Sequence, residues 1–394
     1  MEDSISMSSP GLIAKLASSV GASEAALRLL ISIFLGFPIV LTHRYTLFGK
    51  LPNIQHLYFA LTGLAINYFN YGSDILHTVV TVVIVYIVLL VFQNSYRGPI
   101  IVLSFTMAYL LIGYYMTATD TYDIKWTMPQ CVLTLRLSGL AFDLYDGTLP
   151  TILYFVREIV EELKMLMILF DLQELSFITR CAVLAIWGHL ALYKYISVWL
   201  LVEAVCIASG ITYNGKDDKG NTKWNGLSNI NLILFEGTTL FGHYIEAFNI
   251  NTNHWVAQYI YKRLKFLGNR QLSQLGVLVF LAVWHGLHSG YYMCFFLEFI
   301  CMIMEKDLQP ILQRNGVVLE FLRKPGMKQL TWLALKVYTL VFMGYCMAPF
   351  VLLSYHKWWQ VHKSFYFMGH ILWMPWYLYR PIVKKLLPPK EHTS

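Results

Sequence analysis

Charge is scarce in this chain. Only 13% of its 394 residues are Asp, Glu, Lys or Arg, about half the share in an ordinary soluble domain. With 57% hydrophobic and 15% aromatic residues, there is too little polar surface to enclose the apolar mass in water. A soluble globular class is excluded and a polytopic membrane protein is implied. The six cysteines stand singly, with no CxxC spacing, so a disulfide framework or zinc ribbon is not expected. No HExxH pattern and no Asn-x-Ser/Thr acceptor occurs; the first absence speaks against metal catalysis. The formal charge of +7 comes from Lys and Arg gathered near the ends of apolar runs, where they anchor helices against headgroups. No basic array interleaved with aromatics is found, so nucleic acid is not an expected partner. Residues 1–22 carry no basic start, short apolar core and cleavage site, so no removable signal peptide is expected. No internal repeat is visible, which weighs against a transporter built from inverted halves.

Long apolar runs are what the chain has instead. Ser23 followed by Glu24 reads as a helix start, and spans are expected over 27–41, 54–71, 75–92 and 100–119. The 128–142 run is short and contains Arg136, so it is expected to be re-entrant inside the bundle, or a tilted span with the arginine reaching the interface. Residues 148–175 alternate charge with Leu, Ile and Met as an interfacial amphipathic helix would. One tilted span or two broken ones fit 178–209, and 213–229 is a Gly- and Lys-rich loop. After a stretch without spanning pattern, further spans fit 272–304, 330–353 and 365–387. The fold class is therefore all-α: a polytopic transmembrane helical bundle of roughly eight to ten membrane segments, some re-entrant or interfacial. It is divided into a tail or interfacial helix at 1–22, one membrane-embedded domain over 23–390 and a short tail at 391–394.

The 272–304 run is long enough to cross a ~30 Å hydrocarbon core and carries two histidines at mid-length. Read as one helix, it puts His285, His288, Ser289 and Tyr292 on one face. Such a polar stripe either glues helices together or handles a proton, since imidazole accepts one near neutrality. Two histidines without a third ligand do not make a metal site. Ser289 reads as a small packing residue rather than a nucleophile, and the Gly286 to Gly290 spacing permits close helix approach. Upstream, Asn249, Asn251 and Asn253 recur at alternate positions; asparagine in such a stretch forms turns, or supplies an uncharged donor to an anionic oxygen. Lys262, Arg263 and Lys265 form a basic run suited to interfacial anchoring or to phosphate.

Phe248-Asn-Ile-Asn-Thr-Asn253 followed by Trp255, then Lys262-Arg-Leu-Lys-Phe-Leu-Gly-Asn-Arg270, then Val283-Trp-His-Gly-Leu-His-Ser-Gly-Tyr-Tyr292, together resemble the membrane-bound O-acyltransferase family. The likeness is to its lysophosphatidylcholine acyltransferase branch. Parts of 21–36, 119–135 and 187–203 resemble it too. The resemblance implies that His285 is the catalytic histidine and Asn249 its paired asparagine. It also implies acyl transfer from acyl-coenzyme A, as co-substrate, to a lysophospholipid, with polyunsaturated donors, no bound cofactor and multi-pass residence in the endoplasmic reticulum membrane. Asn253, Trp284, His288, Lys262, Arg263 and Lys265 are candidate substrate contacts, membrane lipids are partners, and oligomerisation is left open.

Members of this branch are longer between Gly147 and Trp187, where only 148–180 fills the gap. A shortened form is expected. The alternative in a different class is therefore a catalytically silent membrane protein that associates with the full-length enzyme.

Overall fold

The computed structural model describes residues 11–92, 95–119, 124–146 and 176–389. The amphipathic segment expected at 148–175 lies outside them. Five segments among the described residues are long and apolar enough to cross a membrane: Glu24–Leu47, Pro52–Phe92, Arg97–Thr117, Phe177–Ser209 and Met327–Leu352. The protein is a multi-pass membrane helical bundle.

A short helix, α1 (Leu12–Ser19), precedes α2 (Glu24–Thr42). The start of α2 is the expected one: the Ser23 side chain accepts from Ala26 N, satisfying one of the amides a helix leaves bare at its N-terminus. Two further helices, α3 (Pro52–Tyr71) and α4 (Ile75–Phe92), are separated by a 3₁₀ turn at Gly72. Then come α5 (Arg97–Thr117) and α6 (Thr127–Asp146). The last of these runs inside the bundle, with ten buried residues, which favours the enclosed reading of the segment bearing Arg136 over the tilted span. Polar side chains tie α4, α5 and α6 together. Gln130 Nε2 donates to Thr81 Oγ1 at 2.9 Å, and Thr134 Oγ1 donates to the Thr106 carbonyl at 3.4 Å. Where lipid removes the hydrophobic drive between helices, such bonds and close packing remain as the adhesive.

Residues 178–209 form one unbroken helix, α7 (Phe177–Ser209), closed by Gly210 in the left-handed conformation. It packs against α14 (Met327–Leu352), the most enclosed of the five candidate spans. A Cβ placed on Gly188 would lie 2.3 Å from Gly344 Cα, and one on Gly344 would lie 2.2 Å from the Leu184 carbonyl oxygen. The backbones themselves are in contact there. Between these two helices in sequence lie α8 (Leu232–Gly237), α9 (Phe241–Ala247), α10 (Ile250–Val256), α11 (Arg270–His285), α12 (Ser289–Arg314) and α13 (Gly316–Arg323). Beyond α14 follow α15 (Tyr355–Ser364), α16 (Met368–Trp373) and α17 (Trp376–Leu386).

Two expected spans are corrected. The 272–304 run is two helices, α11 and α12, broken at Gly286. The 365–387 run is not one helix either. Tyr366 and Phe367 both take positive φ, at 51° and 52°, and the chain turns again at Pro375 before α17. That last helix is tied to α12 by Asp307, which pairs with Arg380 Nε at 3.1 Å and accepts from Trp376 Nε1 at 3.1 Å.

Because the atoms facing Gly188 and Gly344 are backbone, they cannot swing aside. Gly344→Val should therefore lower the stability of the detergent-solubilised protein by at least about 3 kcal/mol. Gly63→Val, at a site with open space around it, should change it little. Thermal unfolding of both variants, with equal melting temperatures as the contrary result, checks this.

Candidate functional site

His285 is the last residue of α11. The helix is started by Asn269, whose side chain accepts from Gln271 N and Leu272 N, and it is stopped by Gly286 at φ 137° and ψ −171°, a conformation that side-chain-bearing residues rarely adopt. Three residues later α12 begins, with His288 in the flanking N-terminal position. The polar stripe expected on a continuous helix is thus not formed: the glycine turns the chain between His285 and His288, and the two rings belong to different elements.

The junction is pinned to the end of α14. A Cβ on Gly290 would fall 2.0 Å from the Pro349 carbonyl oxygen, so only glycine fits there. Gly290 N donates to the Leu353 carbonyl at 2.9 Å. Ser289 Oγ donates to the same carbonyl at 3.3 Å and accepts from Trp358 Nε1 at 3.1 Å. These contacts give Ser289 an anchoring place. The small residues of the motif serve the close helix approach that their spacing suggested.

Around the half-buried His285 imidazole stand Phe350, Phe295 and Tyr291, with ring centroids at 5.1, 5.4 and 5.5 Å. Trp284 meets it edge-on at 4.7 Å. Trp284 is itself buried, its indole donating to the Cys131 carbonyl at 2.8 Å and its carbonyl accepting from the Tyr114 hydroxyl at 3.1 Å. That geometry makes Trp284 a support for the neighbouring histidine, fastened to α5 and α6. His288 lies half-buried beside Tyr291, with centroids 6.2 Å apart.

The three asparagines do not act alike. Asn249 takes the left-handed conformation, φ 53° and ψ 45°, just ahead of α10, and its Oδ1 accepts from Asn229 Nδ2 at 3.4 Å. Asn251 Nδ2 reaches the Leu227 carbonyl at 3.4 Å. Asn253 Nδ2 donates to the Ile245 and Phe248 carbonyls, at 2.6 and 2.9 Å, so its amide holds backbone in place. Asn229 is a residue that reading the sequence missed. Its carbonyl accepts from Ile250 N at 3.1 Å and its Oδ1 from Asn251 N at 2.9 Å, clamping the turn in which Asn249 sits. The signal was present: Asn229-Ile-Asn231 repeats the pattern of Asn249-Ile-Asn251.

The Asn249 turn and the His285 helix meet through a shared core rather than through one face. Val256 of α10 is buried with Leu281 and Trp284 of α11, and Trp255 stacks on Phe280 at 5.8 Å. Among the basic residues, Arg263 lies 3.9 Å over the Phe142 ring and pairs with Asp146 at 3.0 Å. Nearby, burial and a hydrogen bond to Asp143 push the Tyr259 hydroxyl well above the usual range for a phenol. Lys262 donates to Gln258 Oε1, and Lys262 and Lys265 are both exposed. No group of three or more His, Cys, Asp or Glu gathers as a metal site among the described residues.

Removing the Asn253 side chain leaves two carbonyls without their donor, a loss of about 1–3 kcal/mol. Asn251→Ala, which breaks one long bond, should cost less than about 1 kcal/mol. Melting of the two variants in detergent should rank them in that order; the reverse order would refute the bracing role of Asn253.

The sequence profile of the membrane-bound O-acyltransferase family matches residues 164–348. Mouse and human proteins named lysophospholipid acyltransferase 5 are each 38% identical over 451 aligned positions, covering 96% of this chain and 93% of the relative. The Drosophila melanogaster protein of that name is 34% identical, covering 93% and 90%. The 451 aligned positions exceed the 394 residues present, so the relatives contain sequence that this chain lacks, as expected of a shortened form. Matched along nearly its whole length, the chain belongs to the membrane-bound O-acyltransferase family.

Proposed function

We propose that this protein transfers a fatty acyl group from acyl-coenzyme A to lysophosphatidylcholine and related lysophospholipids, and so remodels membrane phospholipid. The observation that carries this reading is the full-length similarity to proteins named lysophospholipid acyltransferase 5. The setting of His285 supports it, with a half-buried imidazole held at a helix end among aromatic rings.

In this reading His285 takes the proton of the acceptor hydroxyl as the oxygen attacks the thioester carbonyl. The new carbon–oxygen bond forms, the carbon–sulfur bond breaks, and the thiol of coenzyme A departs with the proton. No covalent enzyme intermediate is needed. Asn249 offers its amide N–H groups to the oxyanion, while Asn229, donating to Oδ1, fixes which end of that amide faces the substrate. Lys262, Lys265 and Arg263, the last also paired with Asp146, meet phosphates of coenzyme A, and His288 borders the acceptor. Polyunsaturated donors and the endoplasmic reticulum membrane complete the reading.

The test is transfer of labelled arachidonoyl from coenzyme A to lysophosphatidylcholine, in membranes without endogenous activity. His285→Ala should reduce transfer by about 10²-fold or more. Asn249→Gly keeps the left-handed backbone accessible and removes only the side chain; it should lose about 10²-fold. Full activity in either variant at equal expression would overturn the assigned role. A parent chain that inserts stably yet transfers nothing would count for the silent, associating form.

A further inference from the structure

Positive charge is concentrated where the end of α12, the whole of α13, the start of α14 and the end of α17 come together. Arg314 closes α12, Arg323 closes α13 and Lys324 follows it. Lys328 lies in the first turn of α14, and Lys384 and Lys385 lie in the last turn of α17. All six are exposed, and none meets a carboxylate within ion-pair distance among the described residues. The stretches 314–328 and 376–389 contain one carboxylate, Glu320. Arg380, the remaining cation of α17, is taken up by Asp307.

Asn315 gathers these helix ends into one surface. It is buried, its Oδ1 accepts from Val318 N at 2.9 Å and so starts α13, and its Nδ2 donates to the Pro388 carbonyl at 2.8 Å, just past α17. Its backbone also pairs with Pro389 in a bridge. The eight residues of α13 extend about 12 Å, little more than the ~8 Å over which physiological salt screens a charge. Apolar side chains are set among the cations: Val317 is 74% exposed, Leu386 73% and Phe321 43%. Water does not favour those side chains and hydrocarbon does not take the cations, whereas the headgroup layer accepts both. At this length α13 cannot cross a ~30 Å core, while α14, a candidate span, sets out from the same surface. The surface therefore lies at a membrane boundary.

We propose that this surface binds anionic phospholipids of the adjoining leaflet, with the Lys and Arg side chains meeting headgroup phosphates and carboxylates while Val317, Phe321 and Leu386 enter the layer beneath. Charge selects the occupant. Six cations stand against Glu320 alone in these two stretches; a zwitterionic headgroup brings no net charge to set against that excess, and an anionic one does. The lipid bound here is a neighbour of the bundle rather than a substrate, so the assignment stands apart from acyl transfer at His285.

The experiment places the purified full chain in phosphatidylcholine nanodiscs that carry, at equal mole fraction, either a phosphatidylserine or a phosphatidylcholine with a photoreactive diazirine at the head-proximal end of its acyl chain. The phosphatidylserine probe should label residues 314–328 and 384–389 at least about five-fold more than the phosphatidylcholine probe. That difference should shrink in ~1 M salt, where the screening length falls to about 3 Å. Neutralising four of the exposed cations together, by Arg323→Gln, Lys324→Gln, Lys384→Gln and Lys385→Gln, should bring the two probes level. The charge-keeping set Lys324→Arg, Lys384→Arg and Lys385→Arg should retain the preference. Equal labelling of the parent chain by the two probes would give the surface to some other acidic partner and overturn the assignment, as would label confined to other residues or a preference that survives neutralisation. Loss of the label on adding coenzyme A would give the surface to the acyl donor, and would overturn it too.

Discussion

Backbone touching backbone at Gly188 and Gly344, and again at Gly290 and the Pro349 carbonyl, is the constraint on which the centre of this bundle depends. In lipid there is no gain from hiding apolar side chains from water, so helices associate where their surfaces approach closely enough for dispersion and hydrogen bonds to act. The first contact sets α7 against α14. The second sets the start of α12 against the end of α14, and with it the position of Phe350 and Tyr291 around His285. A side chain at any of these glycines would push apart the helices that hold the histidine.

The second organising rule is that polar groups at depth are paired or aimed at a cavity. Gln130 with Thr81, and Thr134 with the Thr106 carbonyl, are the paired kind, and they bind α4, α5 and α6 into the wall that carries Trp284. Glu236, though half exposed, is paired as well, with the Tyr193 hydroxyl and His189. Asn229 and Asn253 are used up in holding the backbone on either side of Asn249, leaving Asn249 as the asparagine of this stretch held in the left-handed conformation. Strain of that sort persists where surrounding bonds over-determine the geometry, and here the clamp from Asn229 supplies them.

Much of this architecture was legible from the residues. Ser23 marked the start of α2, the length of the 128–142 run and its Arg136 left an enclosed segment as one of two readings, and the motifs around Asn249 and His285 pointed to the family. Two features were not legible. Apolar periodicity is blind to a break that one glycine can make, so the run through His285 read as a single helix until Gly286 was seen at a φ of 137°. Likewise, 365–387 has the composition of a span, but the left-handed pair Tyr366 and Phe367 and the ties from Asp307 to Trp376 and Arg380 come from packing.

By itself, the sequence determined that this is a membrane helical bundle of the O-acyltransferase family, because composition and ordered motifs are local properties of the chain. Only the tertiary structure decided how the candidate residues divide the work. It put the Asn253 amide on two backbone carbonyls, fastened Trp284 to α5 and α6, and brought Glu236, His189 and Lys336 into one neighbourhood. Those assignments depend on which distant backbone or carbonyl each side chain meets, and such meetings are fixed by helix packing, which no stretch of sequence contains alone.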